Sequence, residues 1–376
     1  MQPAVYIASS NIFSPVGKTT AENFVSLSSG QTGVKKYSNP ELSPEDFYAS
    51  LFETDQVIPG FTKFESILVS SLTDALIRCQ VKPQSEETIL IISSTKGNIS
   101  QIETGKPVDP GEISLSHSAG KIRSHFGFLH SPLVVSNACI SGILALIVGK
   151  RLIESGKYGH AVVAGADVIS SFILSGFQSF QAISHGPCKP FDASRNGINL
   201  GEAAGTIVLT ANKAFSNGVR LAGGSVSNDA NHISGPSRTG EELAEAISKA
   251  IKESGMASTD VDFISAHGTA TIYNDEMEAK AFQLAGVNEA PLNSLKGFYG
   301  HTLGAAGIIE SIISIESLLQ GKIMPTPGYA QPGTTVPVRV ISELIEKNAR
   351  VCLKTGSGFG GCNAAVIFQT MNKQYE

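Results

Sequence analysis

A chain of 376 residues, 41% hydrophobic and 16% charged, is long enough for two packed cores, and no Pro-rich or charge-rich linker parts them. A net charge of −5 without any Lys/Arg run argues against nucleic acid, and the absence of paired-cysteine or His-x-x-x-His spacing argues against a metal site. Apolar runs are broken by Gly, Ser or charge before they could cross a bilayer, and the N-terminus lacks a secretory pattern, so no membrane association is expected. With five scattered cysteines that suit free thiols, a cytoplasmic protein is expected.

Apolar, β-branched segments predict strands over residues 5–9, 89–95, 133–136, 160–164 and 205–210. A helix is predicted over 141–154, stopped at Gly156. The second half repeats this grammar with a strand over 261–265, a helix over 276–284 and another over 305–319, stopped at Gly321. Alternating strands and helices predict a mostly parallel α/β sheet. Gly142, Gly156 and Lys157 recur as Gly307, Gly321 and Lys322, a constant spacing of 165 residues (142 to 307, 156 to 321, 157 to 322). That spacing points to an internal duplication with halves of about 1–211 and 212–376.

Cys139, in VVSNACISG, lies where an apolar strand turns into a small-residue helix, whose N-terminal amides would favour a thiolate. The same context also suits a buried, inert thiol, the better description of Cys79, Cys188 and Cys352, with Cys362 between the two. His267, in ISAHGTATIYND, and His301, in KGFYGHTLGAAG, each follow a strand and precede a helix, where ligands bind in α/β sheets. A lone loop histidine is more often a packing or surface residue, but two such junctions beside a cysteine point to acyl transfer. The run TGSGFGG over 355–361 fits G-x-G-x-x-G, yet NAAVIF after it reads as a strand where a dinucleotide fold needs a helix. Such a turn can instead bring backbone N–H groups to a thioester oxygen.

In chain order these segments resemble the beta-ketoacyl-acyl-carrier-protein synthases of the thiolase-like superfamily, elongating type. The resemblance rests on Ala138, Cys139, Ser141 and Gly142; on Pro190, Phe191, Asp192, Arg195, Gly197, Gly201, Glu202 and Gly205; and on His267, Gly268, Thr269, Thr271, Asn274 and Asp275. Lys296, Gly300, His301, Gly304 to Gly307 and Glu310 match a further segment, and Gly358 to Asn363 a late glycine-rich loop. It implies a thiolase-like α/β fold of two duplicated halves in five αβαβα layers.

The activity so implied is decarboxylative condensation of malonyl-carrier with an acyl group on Cys139, in fatty-acid or discrete polyketide/polyene synthesis. His267 and His301 would hold the malonyl thioester. Lys296 would pair with Glu310 and fix the His301 loop, or bias a histidine's protonation. By the same resemblance, backbone N–H groups of Cys139 and Phe359 form the oxyanion site, Phe359 also gates the acyl tunnel, Thr269 and Thr271 bind pantetheine, and Phe177 and Phe180 lie beside the acyl channel. No cofactor of its own is implied, because substrates arrive on the 4'-phosphopantetheine of an acyl carrier protein. A homodimer is expected, or a heterodimer with another ketosynthase-like subunit. The alternatives are a chain-length-shaping subunit and another thiolase-like acyltransferase. The region before Cys139 is short for the family, and Cys362 replaces an expected polar residue. Lys35, Lys36, Lys150 and Arg151 are candidate cations for steering an acidic carrier.

Overall fold

The computed structural model describes residues 3–54, 56–105, 107–230 and 235–371. The first half contributes β1 (Tyr6–Phe13), β2 (Thr88–Ser93), β3 (Leu133–Val135), β4 (His160–Asp167) and β5 (Ala203–Thr210). The second contributes β6 (Val219–Asn228), β7 (Phe263–Ser265), β8 (Pro291–Asn293), β9 (Val351–Gly358) and β10 (Cys362–Thr370). The continuous apolar run TILIIS of β2 is buried at every residue, the pattern of a strand covered on both faces.

The first five strands pair in the order β3-β2-β4-β5-β1, with β3, β2 and β4 parallel and the last two steps antiparallel, so the sheet is mixed and not mostly parallel as the alternation suggested. The second five pair as β8-β7-β9-β10-β6 with the same sequence of directions. One strand order used twice is the duplicated, thiolase-like α/β architecture. A single pairing of Tyr6 with Arg220 joins β1 to β6, and Arg339–Val340 extends the far edge.

The principal helices are α1 (Lys63–Ile77), α2 (Leu115–Phe126), α3 (Ser141–Glu154), α4 (Ser171–Ser179), α5 (Glu241–Ser254), α6 (Ile272–Leu284) and α7 (Ala306–Gln320). Helices α3 and α7 lie between the two sheets and touch strands of both, whereas α1 covers the outer face of the first sheet and α5 that of the second, with α6 packed on α5. The layers are therefore αβαβα. Leu303–Gln320 is apolar and long enough to cross a bilayer, but it is largely buried between the sheets, as a helix hydrophobic on all sides requires.

The glycines of the 165-residue repeat have matching jobs. A Cβ on Gly142 would lie 2.9 Å from Ile308 N, and one on Gly307 would lie 2.7 Å from Ile143 N, so α3 and α7 cross at this pair with backbone against backbone. Gly156 and Gly321 both take positive φ just past the ends of α3 and α7. The crossing brings the N-terminus of α3, which follows Cys139, against the start of α7, which follows His301.

Candidate active site

Between β3 and α3 the chain turns through Ala138 at φ +44°, a conformation that costs a residue with a Cβ about 1–2 kcal/mol. Ser141 pins the turn: its hydroxyl accepts from Asn137 N (2.8 Å) and donates to Ala138 O (2.6 Å). Cys139 is thereby presented at the head of α3, 9% exposed.

His267 leaves the end of β7 with its backbone held from two sides. Its N–H and that of Gly268 donate to the two carboxylate oxygens of Glu278 on α6, at 2.8 and 2.6 Å. Its carbonyl accepts from Lys296 Nζ at 3.0 Å. His301 is held through backbone to the segment before β5, its N–H donating to Asn199 O (2.7 Å) and its carbonyl accepting from Gly201 N (3.0 Å). A Cβ on Gly201 would lie 1.9 Å from Tyr299 O, a contact with backbone that cannot swing aside. Gly201→Ala is accordingly expected to push the His301 segment away and to cost about 1–3 kcal/mol of stability. Thermal unfolding is the check, and a transition coincident with wild type would refute the fit.

These turns bring Cys139 Sγ and ring nitrogens of His267 and His301 within 4.8 Å of one another. The imidazole centroids are 5.1 Å apart with planes at 82°, and neither ring nitrogen of His301 has a hydrogen-bond partner among the described residues. The trio opens on a cavity of about 520 Å³ whose wall includes Thr269, Thr271, Phe177, Phe180, Phe359 and Asn363. Thr269 and Thr271 share a 2.8 Å hydroxyl contact there. Phe177 and Phe180 sit 5.7 and 5.4 Å, centroid to centroid, from Phe359 at the mouth. The glycine-rich turn lies against Cys139: a Cβ on Gly358 would be 3.0 Å from Cys139 N, and Cys362 Sγ reaches Phe359 O at 3.4 Å and Asn137 O at 3.8 Å. Cys362 thus joins that turn to the Cys139 turn.

Lys296 and Glu310 lie behind the histidines, outside the cavity wall, as a buried ion pair. The second oxygen of Glu310 meets Lys354 Nζ at 2.5 Å, and Lys354 also donates to Ser265 O (3.2 Å) and Ala266 O (3.0 Å). Burial, then Lys296, hold His267 well below the usual imidazole range, and burial, then Lys296 and Lys354, do the same for His301. Both rings are neutral at pH 7. Two cations against one carboxylate also make a divalent metal an unfavourable guest for the Cys139, His267 and His301 donors.

Two sequence expectations are corrected. Burial, reinforced by Cys362, pushes the Cys139 thiol up to about 12 against the pull of Lys296, which favours a resting thiol over the thiolate that helix amides alone would favour. It needs a proton acceptor, and a neutral imidazole is one. Nor are the four steering candidates free: Lys35 pairs with Glu53 and Lys36 with Asp46, while Lys150, itself buried, and Arg151 both engage Glu154 and Glu253.

Sequence reasoning missed Lys354, Glu278 and Asp167. The carboxylate of Asp167 accepts from Ser94 Oγ, from the N–H groups of Thr95 and Lys96, and from Gly304 N, tying the turn after His301 to the end of β2. Burial lifts that carboxyl to about 6. A lysine inside the otherwise uncharged strand VCLKTGSG, buried at seven of its eight residues, was the available signal for Lys354.

Models of the beta-ketoacyl synthase N-terminal and C-terminal domains match residues 67–214 and 219–330. The 3-oxoacyl-[acyl-carrier-protein] synthase 2 of Vibrio cholerae is 26% identical, over 98% of this chain and 99% of that protein. A putative polyketide beta-ketoacyl synthase 1 of Streptomyces halstedii is 31% identical, over 66% of this chain and 63% of that one. Among solved structures, the ishigamide ketosynthase/chain length factor superposes with a TM-score of 0.90 at 24% identity, covering 99% of this chain and 100% of that one. The ketosynthase ApeO in complex with its chain length factor ApeC, from Xenorhabdus doucetiae, gives 0.87 at 23% identity, covering 98% of each chain.

Proposed function

The chain belongs to the beta-ketoacyl synthase family, and we propose that it condenses a carrier-bound malonyl group with an acyl group held on Cys139, releasing carbon dioxide. The observation that carries the reading is the convergence of one thiol and two neutral imidazoles at the end of a 520 Å³ cavity. In the first half-reaction Cys139 Sγ attacks the acyl thioester as its proton passes to a neutral imidazole. The tetrahedral oxyanion accepts from the N–H groups of Cys139 and Phe359, preorganised donors that need no reorientation as charge develops. The carbonyl re-forms, the carrier thiolate leaves and takes the proton, and a Cys139 thioester remains.

In the second half-reaction the malonyl thioester oxygen accepts hydrogen bonds from His267 and His301. The bond to the free carboxylate breaks, CO₂ departs, and its electron pair becomes an enolate whose oxygen those N–H groups stabilise. The enolate carbon attacks the acyl carbonyl, the bond to Cys139 Sγ breaks, and the freed thiolate takes a proton from solvent, the proton that the decarboxylative condensation consumes overall. Thr269 and Thr271 are placed in this reading along the pantetheine arm, while Phe177 and Phe180 contact the acyl chain. A second synthase-like subunit fits the exposed Leu133 and Val134 on β3, the outer strand of its sheet, and the ApeO structure pairs a ketosynthase with a chain length factor. A purely chain-length-shaping role is disfavoured by Cys139 itself.

The test uses purified protein, acyl-carrier and malonyl-carrier, with the intact mass followed between additions. Wild type should gain one acyl group and then release a 3-oxoacyl-carrier. His301→Ala should still be acylated but lose about 10²–10³-fold in CO₂ release, because a donor aimed at the developing oxyanion is gone. Decarboxylation by that variant at the wild-type rate would overturn the assignment.

A further inference from the structure

The strand that delivers His267 ends in three successive backbone carbonyls, and all three accept from buried ammonium groups. Lys354 Nζ serves Ser265 O and Ala266 O, and Lys296 Nζ serves His267 O. Glu310, reaching from α7, lies between the two lysines. We propose that Lys354 is a second positioning lysine of this site, holding the strand end that carries His267 and adding positive charge behind both imidazoles that opposes their protonation.

Geometry favours a role for the charge over simple packing. Lys354 is fully buried on β9 beside Cys352 and Leu353, and it does not line the cavity, so it acts on substrate only through the histidines. Capping two carbonyls requires N–H donors, which a neutral amide also supplies, whereas an ammonium buried here carries a desolvation cost of several kcal/mol. With all three groups ionised, Lys296, Lys354 and Glu310 hold one net positive charge behind the rings. A third cation on either imidazole is disfavoured by that excess.

Two nearby carboxyls, Glu278 and Asp167, offset part of it where they are ionised, and burial, which raises both, narrows that range. Glu278 is occupied by the N–H groups of His267 and Gly268 and by Thr355 Oγ1 (3.0 Å), and burial raises its carboxyl. Burial raises Asp167 likewise, and Cys139 rests as a thiol. Burial lowers Lys354 itself, while Glu310 acts in the opposite direction and favours its charged form. Neutral rings matter twice in the mechanism, as the acceptor for the thiol proton and as N–H donors to the enolate. The inference therefore rests on the condensing role proposed for His267 and His301.

Lys354→Gln keeps a donor and removes the charge, and Lys354→Arg keeps both. Histidine titration is followed by NMR on protein carrying ¹³C-labelled histidine, which needs no substrate, and Cys139 acylation by acyl-carrier is measured against pH. In Lys354→Gln both rings should titrate at higher pH than in wild type, and the acid limb of acylation should move up by about one pH unit. Lys354→Arg should follow wild type. If Lys354→Gln does not fold, Lys354→Met, similar in length, replaces it. Histidine titrations in the neutral variant superimposable on wild type would overturn the inference, even with a slower rate, since a purely structural lysine would lower the rate at every pH alike. A wild-type protein that condenses nothing would instead sink the proposed function, and the NMR titration would still decide the charge effect.

Discussion

Cys139→Ala is expected to take up no acyl group and to lose condensation by on the order of 10⁴-fold or more, because the covalent intermediate has no other atom to form on. Little else should change. The strained turn is made by Ala138 and pinned by Ser141, neither of which depends on the thiol, so the cost to stability is about 1 kcal/mol for a small buried void. His267, His301 and the lysines behind them are held by Glu278, Glu310 and backbone, and those contacts survive. Carbon dioxide should therefore still be released from malonyl-carrier while no 3-oxo product forms. Intact mass after incubation with acyl-carrier is the decisive measurement. An acyl adduct on the variant would move the nucleophile elsewhere, with Cys362, whose sulfur lies against the same turn, the first residue to map.

Local signals pointed to the turns at Cys139, between β3 and α3, and at His267, after β7, whereas His301 follows the short helix Lys296–Tyr299 and not a strand directly. The glycine spacing revealed the duplication for a related reason: where α3 and α7 cross, no side chain fits, and both copies meet that demand with glycine. What stayed hidden depends on distant pairing. Lys354 reaches the His267 strand only because β7 and β9 pair in parallel with Ser265 opposite Lys354, a register set by a chain excursion of 89 residues. The ion pairs of Lys150 and Arg151 with Glu253, about a hundred positions away, could not be seen in the sequence.

The thiolate expectation failed for a different physical reason. A helix N-terminus is visible in a sequence, whereas the depth of burial around it is not. Burial is the largest influence on the Cys139 thiol and pushes it up to about 12.

Glu310→Ala is the substitution expected to damage stability most, because it strips the counter-charge from two lysines at once. Lys296 and Lys354 are each fully buried, and Glu310 is the carboxylate that meets both. Removing one partner of a buried pair leaves an uncompensated charge and costs about 3–5 kcal/mol, and here two ammoniums are left facing each other. The sign of the pH dependence follows from linkage. Burial already lowers the Lys354 ammonium below its usual 10.5, and loss of Glu310, which opposes that shift, lowers it further. Between that lowered folded value and 10.5 the unfolded chain binds more protons than the folded one, so in that window the stability of the variant rises with pH. Urea denaturation at pH 7 and at pH 9.5 should show a deficit relative to wild type that is larger at pH 7. A deficit below about 1 kcal/mol at pH 7, the range of an exposed ion pair, would mean that Glu310 does not carry the two lysines.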